Sequence, residues 1–202
     1  MGLISGNTHW VLFLPCEHQP EDRHVQDLVH GVFCLESSGI QPSNISIYID
    51  GQNRANFNKL ISIATQHNYT IKPTSEFFTD CDTNSYENLV MFVTGHGSMN
   101  GLDSAPIITP YRLLDRLKNT PVLKQAIVYL GQCFAGVFNY LPAGQRKRGE
   151  DADPDVNLIG ATRLHQLRYR ALHQQYYEKL NINYIHQECW ILNSVPAQSV
   201  EF

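Results

Sequence analysis

Two short motifs, each directly after an apolar run, contain the residue types that thiol chemistry requires. His96 lies within Thr94–Ser98 (TGHGS), and Cys133 lies within Gly131–Gly136 (GQCFAG). A free thiol is a weak nucleophile at neutral pH, whereas an adjacent imidazole makes thiolate available and later protonates the leaving group. We therefore predict that Cys133 is a nucleophile and that His96 is its base.

Glycines beside both residues leave room for a substrate carbonyl to approach the backbone. The N–H groups of Gly97 and Cys133 are the expected donors to the oxyanion that forms during acyl transfer. A lone cysteine after a strand is more often a small buried hydrophobe, and a Gly-His-Gly turn is usually only a turn. The two motifs together, at the ends of successive apolar runs, favour catalysis.

The elements that must position these motifs are short apolar runs separated by segments of helical period. The runs predict strands at Trp10–Leu14, Ile45–Ile49, Leu89–Val93, Ala126–Leu130 and Val156–Ala161, with a sixth candidate at Trp190–Val195. Amphipathic helices are predicted at Val25–Phe33, Phe57–Ala64 and Tyr169–Leu180, and after the capping pair Thr109-Pro110. Continuous hydrophobicity is typical of strands that are covered on both faces.

This pattern predicts an α/β fold with a mostly parallel sheet of about six strands and helices on both faces. Ligands of such sheets bind at the carboxyl ends of the strands, where the loops converge. If the strands before His96 and Cys133 are parallel neighbours, their ends lie about 5 Å apart, and both side chains reach one crevice.

The bulk composition limits the classes of function. A chain of 202 residues suits one domain spanning residues 1–202. A formal net charge of −4 and a pI near 6.1 give no basic face for nucleic acid.

The N-terminal apolar run is too short for a signal peptide or a membrane span. The five scattered cysteines indicate reduced thiols in a cytoplasmic protein. No cofactor is expected, and no metal either, because no residue set completes a tetrahedral zinc site.

One segment stands apart from the strand and helix pattern. Residues 141–155 are rich in charge, proline and glycine, which predicts an exposed loop. Within this loop, Arg146, Lys147 and Arg148 form a candidate processing site. Residues 165–202 are predicted to contain the C-terminal helix and the last strand.

The order of the two motifs resembles the caspase–legumain clan of cysteine peptidases. In that clan one apolar strand leads into His-Gly and a later one into Cys-x-(Ser/Ala)-Gly. Leu89–Val137 carries the match, about a quarter of the chain. The sequence Cys133-Phe134-Ala135-Gly136 is closer to legumain-like and bacterial caspase-like members than to true caspases, whose signature has Gln two positions before Cys. Here Gln132 is adjacent to Cys133.

The resemblance implies a caspase-like fold and a Cys-His dyad that cleaves protein or peptide substrates through a thioester. It also implies a specificity pocket built by loops after the first strand, beside the nucleophile and after the fifth strand. The candidates by position are Arg23 and Arg163 for an acidic substrate side chain, Glu17 and Asp155 for a basic one, and Gln132 beside the nucleophile. A regulatory partner or self-association is left open.

Two alternatives remain at this point. A class I glutamine amidotransferase has a Gly-x-Cys-x-Gly elbow, from which Gly131–Ala135 departs only at its last position, and a late His-x-Glu, which His186-Gln187-Glu188 matches. The separation of Cys133 from His186 is short for that family, and that function leaves the His96 motif unexplained. The other alternative is a catalytically inactive caspase-like binding module.

Overall fold

The computed structural model describes residues 7–140 and 153–162. In this part of the chain the helices are α1 (Asp22–Ser37), α2 (Arg54–Ile61), α3 (Thr74–Asp80) and α4 (Pro110–Lys118). The strands are β1 (Thr8–Leu14), β2 (Ile45–Ile49), β3 (Ile71–Lys72), β4 (Asn88–Val93), β5 (Gly97–Ser98), β6 (Gly101–Leu102), β7 (Gln125–Leu130) and β8 (Asp155–Gly160). Short 3-10 turns lie at Pro42–Asn44, Cys81–Thr83 and Ala135–Tyr140.

Six of these strands form one parallel sheet in the order β3-β2-β1-β4-β7-β8. This confirms the predicted α/β class with a parallel sheet. The five apolar runs before residue 163 are all strands, and their bounds lie within one residue of the predicted ones except that β1 begins two residues earlier, at Thr8. The sixth strand is β3, whose two residues are too few to show a period. The predicted strand Trp190–Val195 and the helix Tyr169–Leu180 lie outside the described residues.

Helices cover both faces of the sheet because successive side chains of a strand point to opposite sides. On one face, Leu12 of β1 packs in a buried cluster with Val25 of α1 and Phe57 of α2. On the other face, Phe13 of β1 packs in a second cluster with Phe77 of α3 and Leu113 of α4. Each fully buried apolar side chain contributes about 1.5–3 kcal/mol. These two clusters fix the strands relative to one another, and with them the strand ends from which the two motifs begin.

The edge strand β8 departs from the expectation that every strand is covered on both sides. Its side chains are exposed or half-buried, and Ile159 is 47% exposed. Within the described residues, β8 therefore relies on its pairing with β7 more than on burial.

Local signals before α4 act as the sequence predicts. The Thr109 hydroxyl accepts a hydrogen bond from the Arg112 N–H at 3.2 Å, and Pro110 occupies the first turn. Before this helix, β5 and β6 pair as a small antiparallel hairpin that begins at Gly97. Among residues 7–140 and 153–162, no helix has both the length and the apolar character needed to cross a bilayer.

The strand order reverses between β1 and β4. The chain moves outward to β2 after β1, and outward to β7 on the opposite side after β4. Loops that leave neighbouring strands in opposite directions open a crevice at the carboxyl edge, which is where ligands bind in open α/β sheets. The loop after β4 carries His96, and the loop after β1 leads into α1.

Candidate active site

The two motifs begin at the same level of the sheet. Val93 of β4 is in register with Leu130 of β7, and the Gly131 N–H donates to the Val93 carbonyl at 2.9 Å. The strands before His96 and Cys133 are therefore parallel neighbours, which is the condition for the two side chains to reach one crevice. The loops that carry the imidazole and the thiol therefore leave the sheet side by side.

The two loops touch through their backbones. A β-carbon built on Gly97 would lie 2.6 Å from the Cys133 carbonyl oxygen and 2.5 Å from Cγ of Gln132. Both distances are below any contact that a real side chain makes, so position 97 accepts only glycine without a shift of the neighbouring loop. The His96 loop and the nucleophile loop are thus packed against each other directly after their strands.

The Gly97 N–H points out of the β5–β6 hairpin. The Asp103 N–H donates to the His96 carbonyl at 3.1 Å, which makes these two residues a hydrogen-bonded pair. Pairs alternate along an antiparallel ladder, so the next pair, Gly97 with Leu102, is non-hydrogen-bonded. The Leu102 N–H instead donates to the Ile108 carbonyl, and the Leu102 carbonyl accepts from the Ile108 N–H. This orientation is what an oxyanion donor at Gly97 requires.

The nucleophile loop is tied to the end of β8 by Thr162. The hydroxyl of Thr162, which is 6% exposed, accepts from the Ala135 N–H at 2.8 Å and donates to the Gln132 carbonyl at 3.3 Å. Phe134, between them, has a positive φ of 55°. A left-handed residue directly after Cys133 turns the chain sharply, and the Thr162 hydroxyl satisfies the backbone groups on both sides of that turn. Cys133 itself is half-buried.

The imidazole of His96 is paired with a carboxylate from the start of α1. Its Nε2 lies 2.7 Å from Oε1 of Glu21, and Nε of Arg23 donates to the other oxygen, also at 2.7 Å. Glu21 occupies the N-cap position of α1, but its side chain does not cap the helix. The hydrogen bond from Arg23, and after it the one with His96, lower the pKa of Glu21 to about 2. The carboxylate is therefore ionised at neutral pH.

A second imidazole lies against the first. The rings of His24 and His96 meet edge to face, with centroids 4.9 Å apart. His24 is 3% exposed, whereas the His96 side chain is 52% exposed. Glu21, His24 and His96 each offer one ligand atom, and these atoms lie within 4.8 Å of one another. The site thus combines a thiol loop with a cluster of two imidazoles and one carboxylate.

Gln132 is buried beside the nucleophile. It is 1% exposed, and neither polar atom of its side-chain amide has a hydrogen-bond partner among the residues that the structure describes. An unsatisfied buried amide costs about 1–3 kcal/mol per group. Its packing against Gly97 explains the burial, and the unused hydrogen-bonding capacity makes Gln132 a group that a bound substrate could engage after a small shift.

A cavity of about 310 Å³ lies further along the carboxyl edge, over the ends of β1, β2 and β3. Glu17, a predicted pocket residue, lines it together with Cys16, Asp50 and Arg112. The Asp50 carboxylate accepts hydrogen bonds from the Cys16 N–H, from the N–H and hydroxyl of Thr74, and from the Ser104 hydroxyl. Asp50 thereby joins the loops after three strands and fixes the wall of the cavity.

The remaining predicted site residues are placed as follows. Arg23 lies at the rim of the site, paired with Glu21 and through it linked to His96. Asp155 starts β8 and is in register with Gln125, so it lies at the amino edge of the sheet, opposite the two motifs. Because all six strands are parallel, Asp155 cannot share a pocket with Cys133. Outside the described residues lie Arg163, Arg146, Lys147, Arg148 and His186.

Three residues of the site do not stand out in the sequence. Glu21 and His24 reach His96 only through the placement of α1, and Thr162 reaches the nucleophile loop through the pairing of β7 with β8. The sequence offers a signal for one of them. Thr162 follows directly on the fifth predicted strand, in the region where a loop was expected to reach the site.

Comparison of the chain with protein-family models and with curated proteins finds no match.

Proposed function

We propose that the protein is a cysteine endopeptidase in which Cys133 is the nucleophile and His96 the general base, acting on protein or peptide substrates. The observation that carries this proposal is the backbone contact between Gly97 and the Cys133 carbonyl. It joins the two motifs at the carboxyl edge of neighbouring parallel strands. The resemblance of both motifs to the caspase–legumain clan supports the same reaction class, and a cytoplasmic location belongs to the proposal.

In the proposed reaction, His96 takes the thiol proton and the Cys133 sulfur attacks the carbonyl carbon of the scissile peptide bond. The oxyanion accepts hydrogen bonds from the backbone N–H groups of Gly97 and Cys133. The Gly97 N–H is not used in the pairing of the β5–β6 hairpin. The C–N bond then breaks as the imidazolium gives its proton to the leaving amine, which leaves a thioester on Cys133. Water, deprotonated by His96, cleaves the thioester and regenerates the thiol.

Glu21 has a defined role in this scheme as a positioning residue. Its ionised carboxylate accepts the hydrogen bond of His96 Nε2, which directs the other ring nitrogen to act as proton acceptor. Arg23 holds the second oxygen of the same carboxylate and so restricts its rotation.

The test is peptide hydrolysis by matched cysteine and histidine variants. The chain offers an internal control, because Cys34 and His30 also form a Cys-His contact, with Sγ 3.3 Å from Nε2, on the side of α1. We expect Cys133→Ala to abolish hydrolysis and His96→Ala to reduce it by about 100- to 10,000-fold. Cys34→Ala and His30→Ala should keep full activity.

The same assay separates the rival functions. If His186→Ala inactivates the chain while His96→Ala does not, and glutamine is hydrolysed in place of peptides, the amidotransferase is correct and the peptidase proposal fails. If the wild type hydrolyses neither peptides nor glutamine, and Cys133 shows no more reactivity than Cys34, the chain is a binding module.

A further inference from the structure

The cluster formed by Glu21, His24 and His96 contains the ligand types of a zinc site. Glu21 and His24 are three residues apart at the start of α1, and His96 comes from the loop after β4. One ligand atom from each side chain lies within 4.8 Å of the other two. Two imidazoles and one carboxylate are a ligand set that binds Zn²⁺ and leaves its fourth position for water or substrate.

To hold the ion, ligand atoms that now lie up to 4.8 Å apart must close to the spacing of a tetrahedral site. Ligand atoms about 2.0–2.1 Å from a tetrahedral zinc ion are roughly 3.3 Å apart. The contact between Glu21 Oε1 and His96 Nε2, now 2.7 Å, would widen as the proton between them is displaced by the metal. The side chains of Glu21 and His96 are half exposed and can move, while the buried His24 provides a fixed ligand.

We propose that Glu21, His24 and His96 bind Zn²⁺ and that the bound ion switches off the catalytic base. The regulatory half of this inference rests on the proposed function, whereas metal binding does not. A neutral imidazole has one nitrogen lone pair, which the metal occupies, and its other nitrogen keeps its proton. Zinc-bound His96 therefore cannot take the thiol proton of Cys133, whichever ring nitrogen binds the ion.

Arg23 sets the strength of the site. Its guanidinium donates hydrogen bonds to both oxygens of the Glu21 carboxylate, at 2.7 Å to Oε2 and 3.3 Å to Oε1, and places a positive charge beside the incoming cation. Zinc must compete with this ion pair, which suits a reversible inhibitory site better than a structural one. Removal of the arginine charge should therefore tighten zinc binding, by about two- to fivefold for an exposed pair of this kind.

The first experiment measures metal binding without reference to activity. Zn²⁺ is titrated calorimetrically into the reduced full chain carrying Cys133→Ala, and Co²⁺ absorption reports the ligands. We expect one site whose cobalt spectrum lacks a thiolate charge-transfer band. Glu21→Gln and His96→Gln in this background should weaken zinc binding at least about tenfold. His30→Gln is the matched control and should bind as before, while Arg23→Gln should bind more tightly.

His24 is buried, so His24→Gln can lower the free energy of unfolding, and its zinc affinity is compared only if the variant unfolds like the parent chain. Glu21 is exposed, so Glu21→Gln is the decisive variant. Equal affinity in the parent chain and in Glu21→Gln and His96→Gln overturns the site and identifies the zinc as bound adventitiously to other cysteines or histidines.

The second experiment adds Zn²⁺ to the active wild-type chain and measures peptide hydrolysis. We expect inhibition at the concentration at which the site fills, reversal by a chelator, and greater zinc sensitivity in Arg23→Gln. Zinc that binds the cluster without inhibiting overturns the regulatory half. Zinc bound through Glu21 in a chain that shows no hydrolysis in chelator supports the site and overturns the proposed function instead.

Discussion

The backbone of Gly97 lies so close to that of Cys133 that a β-carbon on Gly97 would be 2.6 Å from the Cys133 carbonyl oxygen. The loop of the base and the loop of the nucleophile therefore set each other's position. Backbone atoms cannot rotate away as a side chain can, so any larger residue at position 97 must displace the nucleophile loop.

Gly97→Ala should lower kcat/KM for peptide hydrolysis by about 100-fold, because a shift of about 1 Å in the reacting groups has an effect of that size. Gly39→Ala is the control. Gly39 follows α1, far from the site, and a β-carbon there would meet no neighbouring atom. Its φ of 81° is unfavourable for alanine, which should cost about 1–2 kcal/mol of backbone strain. Gly39→Ala should lower the free energy of unfolding and leave activity unchanged. Equal activity of both variants would mean that the loop contact has no part in catalysis.

Thr162→Val should reduce activity and stability together. Valine keeps the shape of threonine but removes the hydroxyl that satisfies the Ala135 N–H and the Gln132 carbonyl. Leaving these buried groups unpaired should cost about 1–3 kcal/mol, measured by urea unfolding. Thr162→Ser retains the hydroxyl, and we expect it to keep most of the activity. If valine and serine give the same kcat, the tether does not position Cys133.

Glu21→Gln should lower kcat about tenfold with KM nearly unchanged, since the amide keeps the size of the side chain but not the charge that steadies the imidazolium. Asp22→Asn makes the same charge change one residue away, where the carboxylate instead accepts from Asn56 Nδ2. Steady-state kinetics in chelator compare the two variants. A loss of kcat of the same size in Asp22→Asn would show that the negative charge at the start of α1, and not the contact of Glu21 with His96, supports catalysis.

Cys133 should be the first of the described thiols to react with limiting iodoacetamide at neutral pH. Burial raises the pKa of Cys16, Cys34 and Cys81, which keeps those thiols protonated and slow. Peptide mapping at low conversion provides the order of labelling. Alkylation of Cys34 ahead of Cys133 would show that the contact with His30 activates a thiol better than the proposed site does.

The stability of the fold should fall between pH 7 and pH 5 because of His9. Burial, opposed by the nearby Asp80 charge, lowers the pKa of His9 from 6.5 to about 4. The unfolded chain then binds a proton that the folded chain does not, so stability is full above pH 6.5 and is lost as pH falls towards 4. This one group accounts for about 2 kcal/mol between pH 7 and pH 5.

The control for this prediction is His9→Phe, which keeps a ring to stack on Tyr86 but cannot titrate. Urea unfolding at both pH values gives the pH dependence of each chain, and the other histidines cancel in the comparison. The variant should lose about 2 kcal/mol less than the wild type over this range. Identical pH dependences would show that the pKa of His9 is the same in the folded and unfolded chains.

The sequence by itself determined the strands, most of the helices and the two motifs. Runs such as Leu89–Val93 are continuous and apolar because strands covered on both faces have no polar side, so the pattern is visible in the local sequence. The positions of His96 and Cys133 at strand ends follow directly from those runs. The short edge strand β3 and the short helix α3 were not predicted, because a few residues do not establish a period.

Only the tertiary structure decided which residues join the two motifs. Glu21 and His24 meet His96 because α1 packs on one face of β1 and β4, and no local pattern encodes that distance. Strand direction likewise placed Thr162 at the nucleophile loop and Asp155 at the opposite edge, although both border the same strand. Periodicity reports which side of an element is buried. The neighbours that it meets depend on strand order and register, which arise from packing across the whole sheet.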